Sequence, residues 1–275
     1  MFFFNKKIVK IAYLSELRLK KEFRKLKLAE ELLKEAVKVS SDSLIFTCIA
    51  IDNKIARKKW INLAKDNIIT LNNITNINTY FIFPIKTKNM NCKYYIRNAN
   101  EKDINELFNL WNTKMIDKNL AQCFNLKDFN KIVNLIGINN FIVCIKDNKI
   151  ISFLGLWNQN NIRRFILANN IKYSKIFNFI SNFLKLPKLP TKNEIIKFYS
   201  ITNLCIPLDY TDTFKHLINY SIDYVNNSYF LALALDEKDI LNYELNKFYY
   251  SKSQLELLSN IKESNFKFHL EISYG

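Results

Sequence analysis

The sequence predicts an α/β protein built on a mixed sheet, and two patterns support this. Near the amino terminus, a strand pattern passes through a basic turn into an amphipathic helix and then into a second strand. A strand–helix–strand–helix series recurs over residues 198–248. Both patterns are typical of βαβ units, whose crossovers are right-handed. No apolar run approaches the roughly 18 residues that a membrane helix needs, so we expect no membrane partner and a cytoplasmic protein.

The first third contains five predicted elements. Ile8, Ile11 and Tyr13 are interspersed with polar residues, as in a half-buried strand. The unbroken apolar run over 44–51 indicates a strand that is buried on both faces beside a parallel neighbour. The predicted elements are a strand over 6–19, a helix over 26–39, a strand over 44–51, a helix over 54–64 and a short strand over 80–83, with an Asn-rich loop before the last.

In the remaining two thirds, the pattern of predicted strands and helices begins again after a polar stretch at 87–92, which we take as the domain boundary. Two apolar runs on either side of Asp147-Asn148 predict a hairpin. The predicted elements are strands over 94–97, 141–145, 150–157, 198–206 and 229–235, and helices after Asn100, near 173–184, over 211–225 and over 238–248.

The charge is unevenly distributed along the chain. The net charge is +16, and residues 1–90 hold 18 Lys and Arg against 8 Asp and Glu. Codon bias toward lysine accounts for part of a uniform excess, but not for this concentration. The cations crowd the turn before the first helix, and a helix amino terminus carries free N–H groups and a partial positive charge. The turn is therefore a predicted phosphate site.

This turn resembles the pyrophosphate turn of the GNAT family of N-acetyltransferases. In that family a strand leads into an Arg/Gln-x-x-Gly-x-Gly/Ala motif whose amides hold acetyl-CoA, and Arg24 and Ala29 match its ends. Asn53 and Ala56 match the N-x-x-A of the following helix. The resemblance implies acetyl-CoA as cofactor and an amine as acceptor. The implied cofactor residues are Leu17, Leu19, Arg24, Lys25, Leu26, Lys27, Leu28, Ala29 and Asn53, and the candidate proton-transfer residues are Tyr13 and Glu16.

Residues 94–157 resemble the first half of the same fold, and 198–250 its second half. We therefore expect two GNAT-like units in tandem, a partial unit over 1–88 without its opening strands and a second unit over 93–275. The second turn, Pro207 to Asp212, has no basic residue and two acids, so the second unit is not expected to bind CoA. The exposed edge left by the missing strands favours a homo-oligomer.

Two residues depart from the family pattern. Lys27 occupies the position of the middle glycine of the turn, and Trp60 stands where many members have a tyrosine that protonates the leaving thiolate. An indole cannot act as that acid. Three functions therefore remain open: an N-acetyltransferase, a non-catalytic relative that serves as a binding or assembly module, and a nucleic-acid-binding protein that uses the basic first third.

Other chemistries have little support in the sequence. The five cysteines are scattered and form no C-x-x-C pair, and His216 and His269 are the only histidines. A histidine-rich metal site and a Ser-His-acid triad are therefore not expected.

Overall fold

The fold is described from a computed structural model. It describes residues 1–15, 17–24, 26–66, 68–87, 93–162, 164–167, 178–179, 181, 188–226, 229–261 and 268–269. Glu16, Lys25, the 88–92 boundary and most of the predicted helix near 173–184 lie outside the described residues.

Strands and helices alternate along the chain. In the first third they are β1 (Phe2–Phe4), β2 (Lys7–Val9), β3 (Ile11–Tyr13), α1 (Leu28–Val39), β4 (Leu44–Ala50), α2 (Lys54–Lys65) and β5 (Asn72–Ile82). The middle of the chain contributes β6 (Tyr95–Asn98), α3 (Ile104–Met115), α4 (Leu126–Ile136), β7 (Phe141–Lys146) and β8 (Lys149–Asn158). The last part contains β9 (Phe165–Ile166), β10 (Ile195–Ile196), β11 (Phe198–Cys205), α5 (Thr213–Tyr224), β12 (Phe230–Asp236), α6 (Leu241–Leu245) and β13 (Tyr250–Ser259).

Nine of the described strands form one mixed sheet in the order β3-β4-β13-β5-β12-β11-β8-β7-β6. The βαβ prediction is confirmed, because β3 pairs parallel with β4 and β11 pairs parallel with β12. The predicted hairpin is also confirmed, since β7 and β8 pair antiparallel around Asp147 and Asn148. The strand predicted over 6–19 is shorter, because only β2 and β3 form there and β2 pairs with β1 outside the large sheet.

Six neighbouring strands of the sheet, β3-β4-β13-β5-β12-β11, show the same sequence of parallel and antiparallel pairings from either end. The pairings from β3 to β11 are parallel, antiparallel, antiparallel, antiparallel and parallel. The two halves that supply them have the same element order, β3-α1-β4-α2-β5 and β11-α5-β12-α6-β13. The last strand of each half has crossed into the other half, since β13 lies between β4 and β5 and β5 lies between β12 and β13. The halves are thus related by a pseudo-twofold axis with exchanged strands.

Strands β6 to β8 and helices α3 and α4 extend only the second half. The unit predicted to lack its opening strands is thus the first, with β3 at a sheet edge. The hydrophobic core is divided between the two halves in the same way. The helices α1 and α2 pack on the first half through Leu33, Val37, Trp60 and Leu63, while α3 and α4 bury Trp111 and Phe129 against β7 and β8. No helix in the described part of the chain is long and apolar enough to span a membrane.

Candidate functional site

Two related openings lie in the sheet, one in each half. In the first half, β3 and β4 pair in parallel from Ile11 to Tyr13, and the Leu14 amide donates to Phe46 O at 2.8 Å. Thr47 Oγ1 donates to Leu14 O at 2.7 Å. Beyond this point the described ladder between the two strands ends, while β4 continues to Ala50 beside β13. The described residues after Leu14 make no further ladder with β4, and we call this place, at the carboxyl ends of β3 and β4, the first opening.

The second half has the same opening between β11 and β12. Their parallel pairing covers Phe198–Ser200 and Phe230–Ala232, and β12 then continues to Asp236 on its β5 side. A register shift against β8 follows Thr202, where Asn203 has a φ of +48°. Such bulges bend a strand away from its neighbour. Both halves thus offer a crevice at the carboxyl ends of parallel strands, where α/β proteins bind ligands.

The turn beside the first opening is compact. A 3₁₀ turn covers Lys21–Phe23, and Arg24 Nε donates back to Leu19 O at 3.2 Å. Lys27 then adopts a left-handed conformation, with a φ of +55°, and α1 begins at the next residue. Left-handed backbone is the conformation that glycine accepts most readily, so a glycine at position 27 would adopt this turn with less strain than the lysine.

The helix start keeps its positive character because its acids are paired elsewhere. Lys59 Nζ on α2 lies 2.6 Å from Glu30 Oε1. The hydrogen bonds from Lys59 and Asn62 lower the pKa of Glu30. Lys34 Nζ lies 3.5 Å from Glu31 Oε1. The cations of the turn are exposed, namely Arg18, Lys20, Lys21, Arg24 and Lys27. An anion that enters the opening therefore meets free amides and cations, as phosphate requires.

Asn53 lies at the same edge of the sheet, three residues after the end of β4. Its Oδ1 accepts a hydrogen bond from the Ala56 amide at 3.1 Å, so the predicted helix cap is confirmed. Because β3 and β4 are parallel, their carboxyl ends bring α1 and α2 to one edge. The first turn of α1 contacts α2 directly, because Lys59 and Asn62 both donate hydrogen bonds to Glu30 Oε1.

The second opening is acidic, and the protein's own groups contact three of its acids, Asp212, Asp236 and Asp239. Tyr94 Oη donates to both carboxylate oxygens of Asp212, at 2.9 and 3.0 Å, just before α5. Thr75 Oγ1 and the Phe268 amide donate to Asp236, at 2.9 and 3.0 Å. Asp239, three residues beyond β12 as Asn53 is beyond β4, pairs with Lys118 at 2.5 Å. The two openings therefore differ in charge although they share one geometry.

Tyr13 and Trp60 occupy different environments. Tyr13 is partly exposed at the last parallel pair of β3, and its hydroxyl hydrogen-bonds to the Cys48 thiol. Burial raises the pKa of Cys48 to about 11, and the Tyr13 contact opposes this rise. Trp60 is buried against Leu33 and Leu63. The indole is therefore part of the core.

Sequence reasoning missed several features of this region. The Tyr13–Cys48 contact, the ion pair of Glu30 with Lys59 and the Asp236 cluster all join residues from separate elements. Glu30 and Lys34 have the spacing of a helix ion pair, but Glu30 pairs with Lys59 and Lys34 with Glu31. No group of His, Cys, Asp and Glu within the described ranges could hold a metal ion.

No model of a known protein family matches the sequence, and no curated protein matches it either. Solved structures do resemble the fold. A GCN5-related N-acetyltransferase from Sphaerobacter thermophilus has a TM-score of 0.57 at 7% identity, over 91% of this chain and 72% of its own. The N-myristoyltransferase of Saccharomyces cerevisiae with bound myristoyl-CoA has a TM-score of 0.60 at 14% identity, over 96% of this chain and 65% of its own.

A tandem GNAT protein from the clavulanic acid biosynthesis pathway has a TM-score of 0.53 at 8% identity, over 91% of this chain and 75% of its own. At these identities the likeness concerns the fold. The chain has the GNAT acyltransferase fold, and the repeated halves agree with the tandem arrangement predicted from the sequence. The chain spans about two thirds of the length of the myristoyltransferase.

Proposed function

We propose that the protein is an acyltransferase that moves an acetyl group from acetyl-CoA to an amine. The observation that carries this proposal is the contrast in charge between the two openings, which share one geometry. Among the described residues, the first combines the amides of a helix start with exposed cations, while three acids of the second are paired within the chain. The fold relatives include an N-acetyltransferase and an N-myristoyltransferase with bound myristoyl-CoA, which supports the class of reaction.

The proposed cofactor lies in the first opening, with its pyrophosphate at the start of α1. The amides of Leu28 and Ala29 and the side chains of Arg24, Lys25 and Lys27 would hold the phosphates. Lys27 is exposed, so its ammonium group can turn toward a phosphate from outside the turn. Leu17, Leu19, Leu26 and Asn53 would line the pantetheine path, with Asn53 continuing to cap α2.

In the reaction, the amine nitrogen attacks the thioester carbonyl carbon, a carbon–nitrogen bond forms and the carbon–sulfur bond breaks. The amine loses a proton and the CoA thiolate gains one. Tyr13 and Glu16 are our candidates for these proton transfers, and Tyr13 lies where β3 and β4 separate. Trp60 does not contribute, since an indole is not an acid of suitable strength and this one is buried.

A non-catalytic acyl-CoA-binding or assembly module is the second candidate. The core position of Trp60 favours it, because α2 then supplies no acid to the leaving thiolate at that position. For both candidates we propose a cytoplasmic protein whose two units cover residues 1–88 and 93–275. The proposal also includes a homo-oligomer that forms through the β3 edge.

The test is thiol release from acetyl-CoA with a panel of small amines and peptides with free amino termini. We expect amine-dependent release of CoA and a matching acetylated product detected by mass spectrometry. Tyr13→Phe should reduce kcat if the hydroxyl transfers a proton, whereas Tyr95→Phe, on an exposed strand of the second half, should not. Acetyl-CoA binding without turnover of any amine would favour the non-catalytic module.

A further inference from the structure

The segment around the basic turn exposes apolar side chains as well as cations. Within residues 17–32, five large apolar side chains are between 37% and 61% exposed, namely Leu17, Phe23, Leu26, Leu28 and Leu32. They alternate with five exposed cations, Arg18, Lys20, Lys21, Arg24 and Lys27. We name these ten residues the basic–apolar surface. A cluster of exposed apolar residues at this density is unusual on a protein that meets only water.

The surface is compact because the segment folds back on itself. The Phe23 amide donates to Lys20 O, the Arg24 amide to Lys21 O and the Leu26 amide to Phe23 O, at 3.0, 3.4 and 3.3 Å. Helix α1 follows directly, and Leu28 and Leu32 lie four residues apart on its exposed face. Successive turns thus hold the cations and the apolar groups in one small region.

We infer that this surface docks the protein on an anionic phospholipid bilayer. A bilayer offers phosphate and carboxylate groups to the cations and hydrocarbon to the leucines and Phe23 in the same layer. Nucleic acid offers only the first, and would leave Leu26 and Leu32 in water. One exposed acid, Glu22, lies among the five cations, while Glu30 and Glu31 are paired with Lys59 and Lys34, so the surface keeps a positive net charge.

This inference extends beyond the proposed reaction and does not depend on it. The surface shares Leu17, Arg24, Leu26, Lys27 and Leu28 with the proposed cofactor site, so its test is made without CoA. Its other five members, Arg18, Lys20, Lys21, Phe23 and Leu32, are not assigned to the cofactor, and the substitutions that test the inference are made among them. No described helix could span a membrane, but docking on the surface of a bilayer does not require such a helix. The vesicle experiment below therefore also tests the expectation of no membrane partner.

The test is sedimentation with vesicles of phosphatidylcholine alone and with phosphatidylserine added, without CoA. The charge variant is Lys20→Glu with Lys21→Glu, and its control is Lys127→Glu with Lys131→Glu on α4, which is also exposed. The apolar variant is Phe23→Ser with Leu32→Ser, and its control is Leu135→Ser with Ile162→Ser, both exposed in the second half. Circular dichroism checks that all four variants fold.

We expect the unmodified protein to sediment only with the phosphatidylserine vesicles. The charge variant should bind about tenfold more weakly or worse, since each cation near such a surface contributes about 1 kcal/mol. The apolar variant should also lose binding, and both controls should keep it. Absence of binding, equal losses in the controls, or an unaffected apolar variant would overturn the inference. Tighter binding to duplex DNA than to the vesicles at equal salt would assign the surface to nucleic acid instead.

Discussion

Ile77 on β5 and Leu255 on β13 lie directly opposite each other in antiparallel strands, at the centre of the repeat. On its outer side Ile77 pairs with Asp236 of β12, and Leu255 pairs with Ala50 of β4. Each of these outer partners is the last residue of the second strand of its half. The pseudo-twofold axis therefore passes through the Ile77–Leu255 pair, and the exchange of β5 and β13 joins the halves.

The exchange predicts that neither half folds alone. In a fragment covering 93–275, β12 would lose its β5 neighbour and β13 would lose both β4 and β5. We expect fragments 1–88 and 93–275 to show no cooperative thermal unfolding separately, and to regain it when mixed or co-expressed. Circular dichroism melting of the separate and combined fragments measures this. Cooperative unfolding of 93–275 alone would show that the second unit is independent of the first.

Lys27 provides a test of backbone strain at the turn. A left-handed conformation costs a non-glycine residue roughly 1 kcal/mol, and glycine avoids this cost. Lys27→Gly should therefore raise the free energy of unfolding by about 1 kcal/mol. Lys27→Ala keeps the strained backbone and removes the same charge, so it serves as the control. Urea denaturation measures both variants, and equal stabilities would mean that the turn is not strained.

The ion pair of Arg97 and Asp103 predicts a dependence of stability on pH. The Arg97 guanidinium contacts both carboxylate oxygens of Asp103, at 2.7 and 2.9 Å, and lowers the pKa of this buried acid. A lowered pKa in the folded state stabilises the fold above the pKa of the unfolded chain. This contribution is lost as the pH falls below about 4.

The variant Asp103→Asn should cost about 3 kcal/mol near neutral pH, because it leaves the arginine without its buried partner. It should also make the loss of stability at acidic pH less steep. Asp42→Asn, in an exposed loop, is the control and should change neither quantity. Urea denaturation as a function of pH measures both, and an unchanged acid slope for Asp103→Asn would contradict the assignment.

The sequence predicted the local units of the fold well. Helix α1, strand β4, the Asn53 cap and the β7–β8 hairpin each depend on residues close together in the chain. Helix α4 was missed although Phe129, Val133 and Ile136 have helical spacing and Asn125 caps it. Two aromatic side chains, Tyr249 and Phe179, are exposed although their hydrophobic character favours burial.

The central strands could not be predicted from local pattern. Most of β5 was expected to be an Asn-rich loop, and β13 was not predicted. Their polar side chains find partners more than a hundred residues away, as Asn78 does with Gln254 at 2.9 Å and Thr75 with Asp236. These contacts exist only after strand exchange, so a polar stretch that local pattern assigns to a loop becomes the middle of the sheet. The acids of the second opening find their partners in the same way.

The most direct test of the central claim is calorimetric titration of acetyl-CoA into the full chain and two variants. Arg24→Ala with Lys27→Glu lowers the net charge at the first opening by three, and Lys127→Glu with Lys131→Ala lowers it by three on α4. We predict that the unmodified protein and the α4 variant bind with equal affinity and that the turn variant binds at least about tenfold more weakly, because a charge-assisted phosphate contact contributes about 1.5 kcal/mol or more. No binding by the unmodified protein, or equal affinities in all three, would contradict the placement of an acyl-CoA at this turn.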